Sequence, residues 1–287
     1  MKKQPLFVTK ASGQKAPFRE EKLKRSLLHS GASEEAAEAV IDEVKGRLYA
    51  GISTKKIYQT AFRLLKKFAG ATAARYRLKQ ALMELGPSGY PFERYVAELL
   101  KFQGYRVKVG VTVQGYCVNH EVDIVAEKDD RHFMVECKFH NRQGYYSDVK
   151  VPLYIDSRFR DVEKKWKTQD GHRDKFHQGL VVTNTRFSAD AMQYARCVGL
   201  QLVGWDYPER GSLKDWIDTS GLHPVTCLTT LTQTEKERLL EMKVVLCREL
   251  RGNETVLKKI GLNEPRIRNV MKECSELCAA AGTALLY

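Results

Sequence analysis

The middle of the chain shows the clearest pattern of hydrophobic and polar positions. Apolar residues at 92, 95, 96, 99 and 100 follow helical spacing and predict a helix over 91–100. Alternation from Tyr105 to Val113 predicts a strand. The patterns that follow give the order αβββαβαβ, which predicts a mixed sheet with helices on both faces. The later strands are expected at 121–126, 133–138, 179–183 and 200–204, and the helices at 149–166 and 187–198.

The N-terminal segment predicts a short hairpin followed by helices. Strands at 6–10 and 17–19 flank a turn at 11–14, and an amphipathic helix follows at 20–29. Further helices are expected at 33–50, 53–69 and 71–85, with Ser33 and Ser53 as N-caps. The sequence Gly-Pro-Ser-Gly at 86–89 is typical of a linker.

The C-terminal segment predicts a linker and a small set of helices. Residues 219–230 contain a proline and several threonines, which favours a linker. Thr234, with Glu237 three residues later, predicts a capping box at the start of a helix over 235–240. Three more helices are expected at 243–251, 254–260 and 265–279.

These patterns predict an α/β protein (α+β overall) of three domains. Residues 1–88 would form a β-hairpin plus a helical bundle, 89–218 a central mixed-sheet core, and 219–287 a small helical domain.

Composition favours a globular protein of the cytoplasm. Apolar residues make up 43% and charged residues 29%, and no apolar run reaches membrane-spanning length. Residues 1–5 are basic with no apolar core after them, so no secretory signal is expected.

Seven scattered cysteines indicate reduced thiols. Cys274 and Cys278 lie one helical turn apart, but no second Cys/His pair completes a zinc site.

The positive charge is concentrated in the N-terminal segment. The chain has a net charge of +13, and residues 1–88 carry 18 Lys/Arg against 8 Asp/Glu. This surplus is compatible with a polyanion or nucleotide partner, and equally with a solvated basic helix face.

Two predicted strands bring acids and a lysine together. Asp123 lies on the first, and the triplet Glu136-Cys137-Lys138 ends the second. Side chains alternate along a strand, so Glu136 and Lys138 project to one side, and pairing as a hairpin would place Asp123 beside Glu136. Two carboxylates and an amine at one strand end suit a divalent cation and an activated water, which indicates a phosphodiester-cleaving enzyme.

This order and these residues resemble the PD-(D/E)xK nucleases, and within them the Mrr-type restriction endonucleases. The resemblance covers roughly 89–218, with Val122 where the family has a proline. It implies that Asp123, Glu136 and the Cys137 backbone carbonyl bind Mg²⁺ (or Mn²⁺), and that Lys138 orients or deprotonates the attacking water. Glu93, on the leading helix, would support the metal or a metal-bound water. The alternatives are a surface ion pair for Lys138 and Glu136 and a helix-capping role for Glu93.

Residues after the triplet are weaker candidates for substrate contact. His140, Asn141 and Lys150 would contact a DNA phosphate, and Tyr145 and Tyr146 would pack on the substrate or on the core.

The predicted hairpin and helical bundle open with Val8-x-Lys10-x-x-Gly13 and continue with Pro17-Phe18-x-x-x-Lys22-Leu23. This pattern resembles the ATP-cone domain, an allosteric module that binds ATP or dATP. The resemblance covers about residues 5–86 and implies that Lys10 and Lys22 contact phosphates while Gly13 allows the hairpin turn. The family's Lys-Arg-Asp/Asn-Gly turn reads Lys-Ala-Ser-Gly here, so one cationic contact is missing. The alternative is a degenerate cone that serves oligomerisation or docking.

The C-terminal turn around Gly261 resembles a helix-hairpin-helix. This would present backbone N–H groups to a DNA phosphate, with Lys258, Lys259, Arg266 and Arg268 supplying charge. A four-helix packing or dimerisation module, with Gly261 as a C-cap, is the alternative.

Together these observations predict a nucleotide-regulated, Mg²⁺-dependent DNA endonuclease, a homo-oligomer acting in restriction or phage defence. Two rivals stay open: a structure-selective repair or junction nuclease, and a catalytically retired, nucleotide-controlled DNA-binding regulator.

Overall fold

The computed structural model describes residues 6–173 and 175–279. The described residues fall into two compact units. One comprises the chain up to Ala81 together with the segment that begins at His223, and the other is Leu82–Leu222. The basic residues 1–5 lie outside the described residues.

The N-terminal segment begins with a hairpin and continues as helices. Strands β1 (Phe7–Thr9) and β2 (Lys15–Pro17) pair antiparallel. The helices are α1 (Glu20–His29), α2 (Glu34–Lys45), α3 (Thr54–Phe68), α4 (Gly70–Tyr76) and α5 (Leu78–Met83).

Capping and apolar packing explain these helices. Ser33 Oγ accepts the Ala36 N–H and Ser53 Oγ accepts the Lys56 N–H, each at 3.2 Å, so both predicted N-caps are confirmed. The apolar faces of α1, α2, α3 and α4 form one core, which also buries Val8 of the hairpin. Its fully buried members include Leu27, Val40, Ala61 and Ala73.

The second unit is built on a five-stranded mixed sheet. Helix α6 (Tyr90–Phe102) leads into strands β3 (Arg106–Gln114), β4 (Asn119–Lys128) and β5 (Arg131–Lys138), which pair antiparallel in sequence. Strands β7 (Phe176–Thr183) and β9 (Gln201–Val203) extend the sheet in parallel from β5, giving the order β3-β4-β5-β7-β9. The predicted mixed sheet is confirmed.

Helices cover this sheet through separate sets of buried residues. Helices α7 (Lys150–Trp166) and α8 (Ala189–Val198) pack together on strand residues such as Met134 and Val181. Helix α6 contacts β3, β4 and β5 with its own buried face, which includes Phe92 and Tyr95. A two-residue parallel ladder joins β6 (Tyr146–Ser147) to β8 (Arg186–Phe187). Helix α9 (Leu213–Ser220) begins at the Ser212 capping box.

The C-terminal segment is helical, as predicted. It contains α10 (Gln233–Glu241), α11 (Glu254–Lys259) and α12 (Glu264–Ala279), with short 3₁₀ turns at Val225–Cys227 and Cys247–Leu250.

Several predicted boundaries are wrong, each for a local reason. The helix expected at 71–85 is interrupted at Arg77, which separates α4 from α5. The helix expected at 243–251 is reduced to a 3₁₀ turn, because Lys243 adopts a left-handed conformation (φ 63°) that ends α10. Thr232, not Thr234, caps α10, since Thr232 and Glu235 form the reciprocal capping box.

The linker predicted at 219–230 is wrong for most of its length. Residues 221–228 are buried. The Val225 N–H donates to the Val245 carbonyl at 3.0 Å, and the Cys247 N–H donates to the His223 carbonyl at 2.9 Å. The threonines that suggested a solvated linker make internal contacts instead, such as Thr226 Oγ1 to the Ala81 carbonyl at 2.8 Å.

The fold class is therefore confirmed as mixed α/β with an N-terminal two-stranded hairpin, whereas the division into three domains stays a prediction. Among the described residues, no helix has the length and apolar character needed to cross a bilayer.

Glu273 gives a test of the C-terminal packing. Its buried carboxylate accepts the Thr229 N–H at 2.8 Å and the Thr230 N–H at 3.0 Å. We expect Glu273→Ala to lower the free energy of unfolding by about 2–4 kcal/mol, because two backbone donors lose their acceptor. Urea denaturation measures this, with the exposed Glu276→Ala on the same helix as the control. Equal stability of the two variants would contradict the expectation.

Candidate active site

Asp123 and Glu136 lie side by side at neighbouring strand positions. The antiparallel register pairs Ile124 with Val135, so the next position along each strand brings Asp123 beside Glu136. The Cys137 N–H donates to Asp123 Oδ2 at 2.7 Å, which ties the carboxylate to the adjacent strand. The structure therefore places together the acids that the sequence predicted to converge.

Glu136 is buried between two cations. Its side chain is 8% exposed. Lys138 Nζ lies 2.6 Å from Glu136 Oε1, and Arg158 Nη1 lies 2.9 Å from Oε2. Burial of a carboxylate is costly unless its charge is compensated, and these two cations provide the compensation. The Lys138 side chain is 34% exposed, so the pair is not the surface ion pair that the sequence left open.

Arg158 is a site residue that the sequence did not reveal. It lies on α7, its side chain is 12% exposed, and Nη2 also donates to the Glu121 carbonyl. Its guanidinium lies over the Tyr154 ring, 5.3 Å from the centroid. No motif spacing links Arg158 to the strand acids, because the contact depends on how α7 packs against the sheet.

Glu93 shares the electrostatic environment of these acids. It lies in the first turn of α6. Burial and, to a smaller extent, the nearby carboxylates of Asp123 and Glu136 together raise the pKa of Glu93 to about 7. The carboxyl group thus titrates near neutral pH, which a helix-capping role alone would not produce.

The pKa of Asp123 is also raised above its ordinary value. Burial and the nearby Glu136 carboxylate raise the pKa of Asp123, while the Cys137 N–H bond, Lys138 and Arg158 act against them. The Glu136 carboxylate thus raises the pKa of both Asp123 and Glu93, and a divalent cation bound there would relieve this repulsion. Hard oxygen donors of this kind fit Mg²⁺ or Mn²⁺.

The Cys137 side chain points away from this group. It is buried, 7% exposed, and burial raises the pKa of its thiol well above the usual range. The thiol is therefore a packing group, and the predicted role of Cys137 through its backbone carbonyl stays a prediction.

The end of β5 is held by the end of β7. Thr183 Oγ1 donates to the Lys138 carbonyl at 2.7 Å. The fully buried Asn184 accepts the His140 N–H at 2.9 Å and donates to the His140 carbonyl at 2.8 Å. These bonds fix the backbone immediately after Lys138.

The weaker candidates lie near that strand end. His140 is half-buried, with a ring nitrogen 3.3 Å from Ser147 Oγ, and burial lowers its pKa. Asn141, Tyr145 and Lys150 are exposed. Tyr146 is exposed as well, so it does not pack in the core. His140, Asn141 and Tyr145 line a shallow pocket together with Pro87, Phe139 and Arg142.

The predicted nucleotide contacts lie on the hairpin and α1. Gly13 adopts a left-handed conformation (φ 80°), as a hairpin turn of this kind requires. Lys10 Nζ donates to Gln14 Oε1 at 2.9 Å, and Lys22 is exposed on α1. Nucleotide binding by these residues stays a prediction.

The predicted DNA contacts at the C-terminal turn are partly engaged in ion pairs. Gly261 adopts φ 92° between α11 and α12. Lys258 Nζ lies 2.8 Å from Glu264 Oε1. Arg266 makes a bidentate contact with Glu235 and also donates to the Thr230 carbonyl at 3.0 Å. Lys259 and Arg268 are exposed.

Two family models match this chain. A family model described as restriction endonuclease matches residues 86–207, a range that contains Asp123, Glu136 and Lys138. A model described as AF1548-like, C-terminal, matches residues 223–278.

Two similar proteins each cover about two thirds of this chain. An uncharacterized protein of Archaeoglobus fulgidus is 38% identical over 183 residues, covering 63% of this chain and 99% of the relative. The crystal structure of the protein of unknown function AF1548 is 37% identical, with a TM-score of 0.55, covering 67% of this chain and 99% of that one. The structure of the MspJI restriction endonuclease in complex with a 27-mer oligonucleotide is a more distant match. It is 16% identical, with a TM-score of 0.31, covering 47% of this chain and 30% of that one.

The raised pKa of Glu93 has a measurable consequence for stability. A folded pKa of about 7 against an ordinary value of 4.5 means that the protonated group stabilises the fold below pH 4.5, and that this stability is lost as pH rises to about 7. We expect Glu93→Gln, without divalent cations, to flatten the decline of unfolding free energy over this range. Urea denaturation at several pH values tests this, with the exposed Glu209→Gln as control. A slope in Glu93→Gln equal to that of wild type would contradict the assignment.

Proposed function

This chain belongs to the AF1548-like protein family, and we propose that it is a metal-dependent endonuclease that hydrolyses DNA phosphodiester bonds. The observation that carries the proposal is the group formed by Asp123, Glu136 and Lys138 on two adjacent strands, with the Cys137 N–H bonded to Asp123. The match of residues 86–207 to a restriction endonuclease model supports the same function.

Each residue of the group has a chemical role in this proposal. Asp123 and Glu136, with the Cys137 carbonyl, would hold Mg²⁺ or Mn²⁺. The bound ion would supply Lewis-acid activation of the phosphate and lower the pKa of a coordinated water. Lys138 would orient that water and balance charge that develops on the phosphate oxygens.

The contacts of Glu136 support this division of roles. Lys138 and Arg158 take opposite oxygens of its carboxylate, so the carboxylate is held in one orientation. Arg158 is the more buried of the two cations and also binds the Glu121 carbonyl, which suits a positioning residue. Lys138 is partly exposed and can reach a substrate at the strand end.

Glu93 would act as a proton acceptor or as a support for the metal. Its pKa of about 7 lets it change protonation state near neutral pH, which is the range in which a general base is effective.

DNA would be held mainly through its backbone. The net charge is +13, and Lys and Arg are in greatest excess in residues 1–88. Contacts of this kind carry little base information, so low sequence preference is expected.

A second part of the proposal concerns regulation. The hairpin β1–β2 and helix α1 carry Lys10, Gly13 and Lys22, the positions that match the ATP-cone pattern. We propose that ATP or dATP binds there and changes assembly of a homo-oligomer or the rate of cutting. Control of this kind would protect host DNA and would suit restriction or phage defence.

Two other functions remain distinguishable by experiment. A structure-selective nuclease would prefer branched or nicked DNA to linear duplex. A retired enzyme would bind DNA without Mg²⁺-dependent cutting, although the intact set of Asp123, Glu136 and Lys138 favours a working site.

Lys138 provides the direct test of catalysis. We expect wild type to cut plasmid and phage DNA with Mg²⁺, and Lys138→Ala to cut at least about 100-fold more slowly, because the cation next to the reacting phosphate is lost. Gel assays of initial rates, with branched, nicked and linear substrates in parallel, measure this. Lys108→Ala, an exposed lysine on strand β3 of the same sheet, is the matched control. DNA binding without cutting by wild type would identify the retired regulator.

Lys10 provides the test of nucleotide binding. We expect the full chain to bind ATP or dATP, and Lys10→Ala to bind about 10-fold more weakly, because a phosphate loses a charged contact. Isothermal titration calorimetry measures the affinity, and the exposed Lys15→Ala on the same hairpin is the control. Absence of binding by wild type would leave the hairpin as a docking element.

A further inference from the structure

Three histidines meet at the opposite end of the sheet from the carboxylates. His132 is the second residue of β5 and His177 the second residue of β7, and the parallel register pairs them directly. His172 lies between α7 and β7. One ring nitrogen from each histidine lies within 4.8 Å of those of the other two.

The separations are close to those of a metal-bound cluster. His132 Nδ1 lies 3.3 Å from His172 Nδ1. Two nitrogens bound tetrahedrally at about 2.0–2.1 Å from one zinc ion are about 3.3–3.4 Å apart. The three nitrogens all lie within 4.8 Å of one another, so reaching tetrahedral spacing requires each pair to approach by at most about 1.4 Å.

The hydrogen bonds of His177 leave one nitrogen for a ligand. His177 Nε2 lies 2.9 Å from the His172 carbonyl oxygen, so this nitrogen carries the hydrogen and donates it. The other nitrogen, Nδ1, therefore has a free lone pair, and it is buried with no hydrogen-bond partner among the residues the structure describes. A metal-binding histidine shows this arrangement, with the second ring nitrogen bonded to a backbone carbonyl.

The charges around the cluster favour neutral imidazoles. His132 is 3% exposed, and burial lowers its pKa to about 4, with His172, His177 and Lys108 acting in the same direction. Burial also lowers the pKa of His177, against the effect of Glu163 and together with that of Lys167. Neutral imidazole is the form that binds a metal ion.

Trp166 forms an apolar wall of the site. Its ring centroid lies 4.0 Å from that of His132 and 5.2 Å from that of His177. Trp166 is the last residue of α7 and is 4% exposed, so its indole ring restrains the imidazoles and limits the access of water.

We propose that His132, His172 and His177 bind one divalent transition-metal ion of the zinc class. The three imidazoles supply three positions of a tetrahedral site, and water or another small ligand takes the fourth. The site is separate from the carboxylates, because Glu136 lies four residues further along β5, about 13 Å at strand spacing. Nitrogen donors select zinc-class ions, whereas the carboxylates select Mg²⁺ or Mn²⁺.

The site joins the segment between α7 and β7 to the two central strands. His172 comes from that segment, while His132 and His177 come from paired strands. A bound ion would therefore fix the start of β7 against β5 and stabilise the sheet that carries the catalytic group.

The test is zinc binding by the full chain after its metals are removed with a chelator. Zn²⁺ is titrated against a chromophoric competitor in excess Mg²⁺, so that the carboxylate site is occupied. We expect His172→Ala to bind one equivalent fewer than wild type, with affinity at that site reduced at least about 100-fold. His29→Ala, an exposed histidine on α1, and Asp123→Asn should both retain it.

Thermal unfolding gives a second readout. Saturating Zn²⁺ should raise the unfolding temperature of wild type and of Asp123→Asn by about 5–10 °C, and that of His172→Ala by much less. Asp123→Asn removes a proposed ligand of the carboxylate site, so a zinc effect that it retains does not come from that site. Because neither readout measures DNA cutting, the zinc result is independent of the nuclease proposal. Equal zinc stoichiometry and equal thermal shifts in wild type and His172→Ala would overturn the proposal.

Co²⁺ substitution keeps the test valid if His172→Ala does not fold. Wild type should show the visible absorption of a tetrahedral nitrogen-ligated ion. Strong near-ultraviolet sulfur-to-metal bands would instead place the ion on cysteines, and an octahedral spectrum would place it on carboxylates. Either spectrum would overturn the proposal.

Discussion

The candidate active site depends on the compensation of one buried carboxylate. Glu136 is almost inaccessible to solvent, and an isolated ion in that position would strongly destabilise the fold. Lys138 and Arg158 each take one of its oxygens. Lys138 comes from the same strand, but Arg158 comes from α7, so the geometry of the site requires α7 to be correctly packed.

The packing of α7 is therefore part of the site. Ile155, Val162 and Trp166 bury its apolar face in the same core as Met134 and Val181 of the sheet. That packing fixes the position of α7 over the sheet and its rotation about its own axis. It therefore also fixes the position of the Arg158 guanidinium. Removing apolar volume far from the acids would loosen Glu136 as well, since helix and carboxylate are linked through one side chain.

Sequence periodicity was sufficient to assign the two faces of β5, although it misplaced several helix boundaries. Alternation placed Glu136 and Lys138 on one side of β5 and Cys137 on the other, as the structure has them. Arg158 was missed because it contacts Glu136 from 22 positions away along the chain. The histidine cluster was missed because His132 is 40 positions from His172 and pairs with His177 still further along the chain, and no spacing rule connects such positions. The buried segment at 221–228 was mistaken for a linker because the tertiary partners of its polar residues cannot be seen in its composition.

Strand β5 connects two kinds of donor chemistry. Its first residues carry a neutral imidazole beside another on β7, and its last residues carry a carboxylate beside another on β4. Parallel pairing with β7 brings equivalent positions together at both ends, so His132 meets His177 and Lys138 meets Thr183. Imidazole nitrogen donors at one end and hard oxygen donors at the other would let two different ions bind to one sheet without competing. Because both ends depend on the same β5–β7 register, an ion that fixes the histidine end would also hold the strand that carries Glu136 and Lys138.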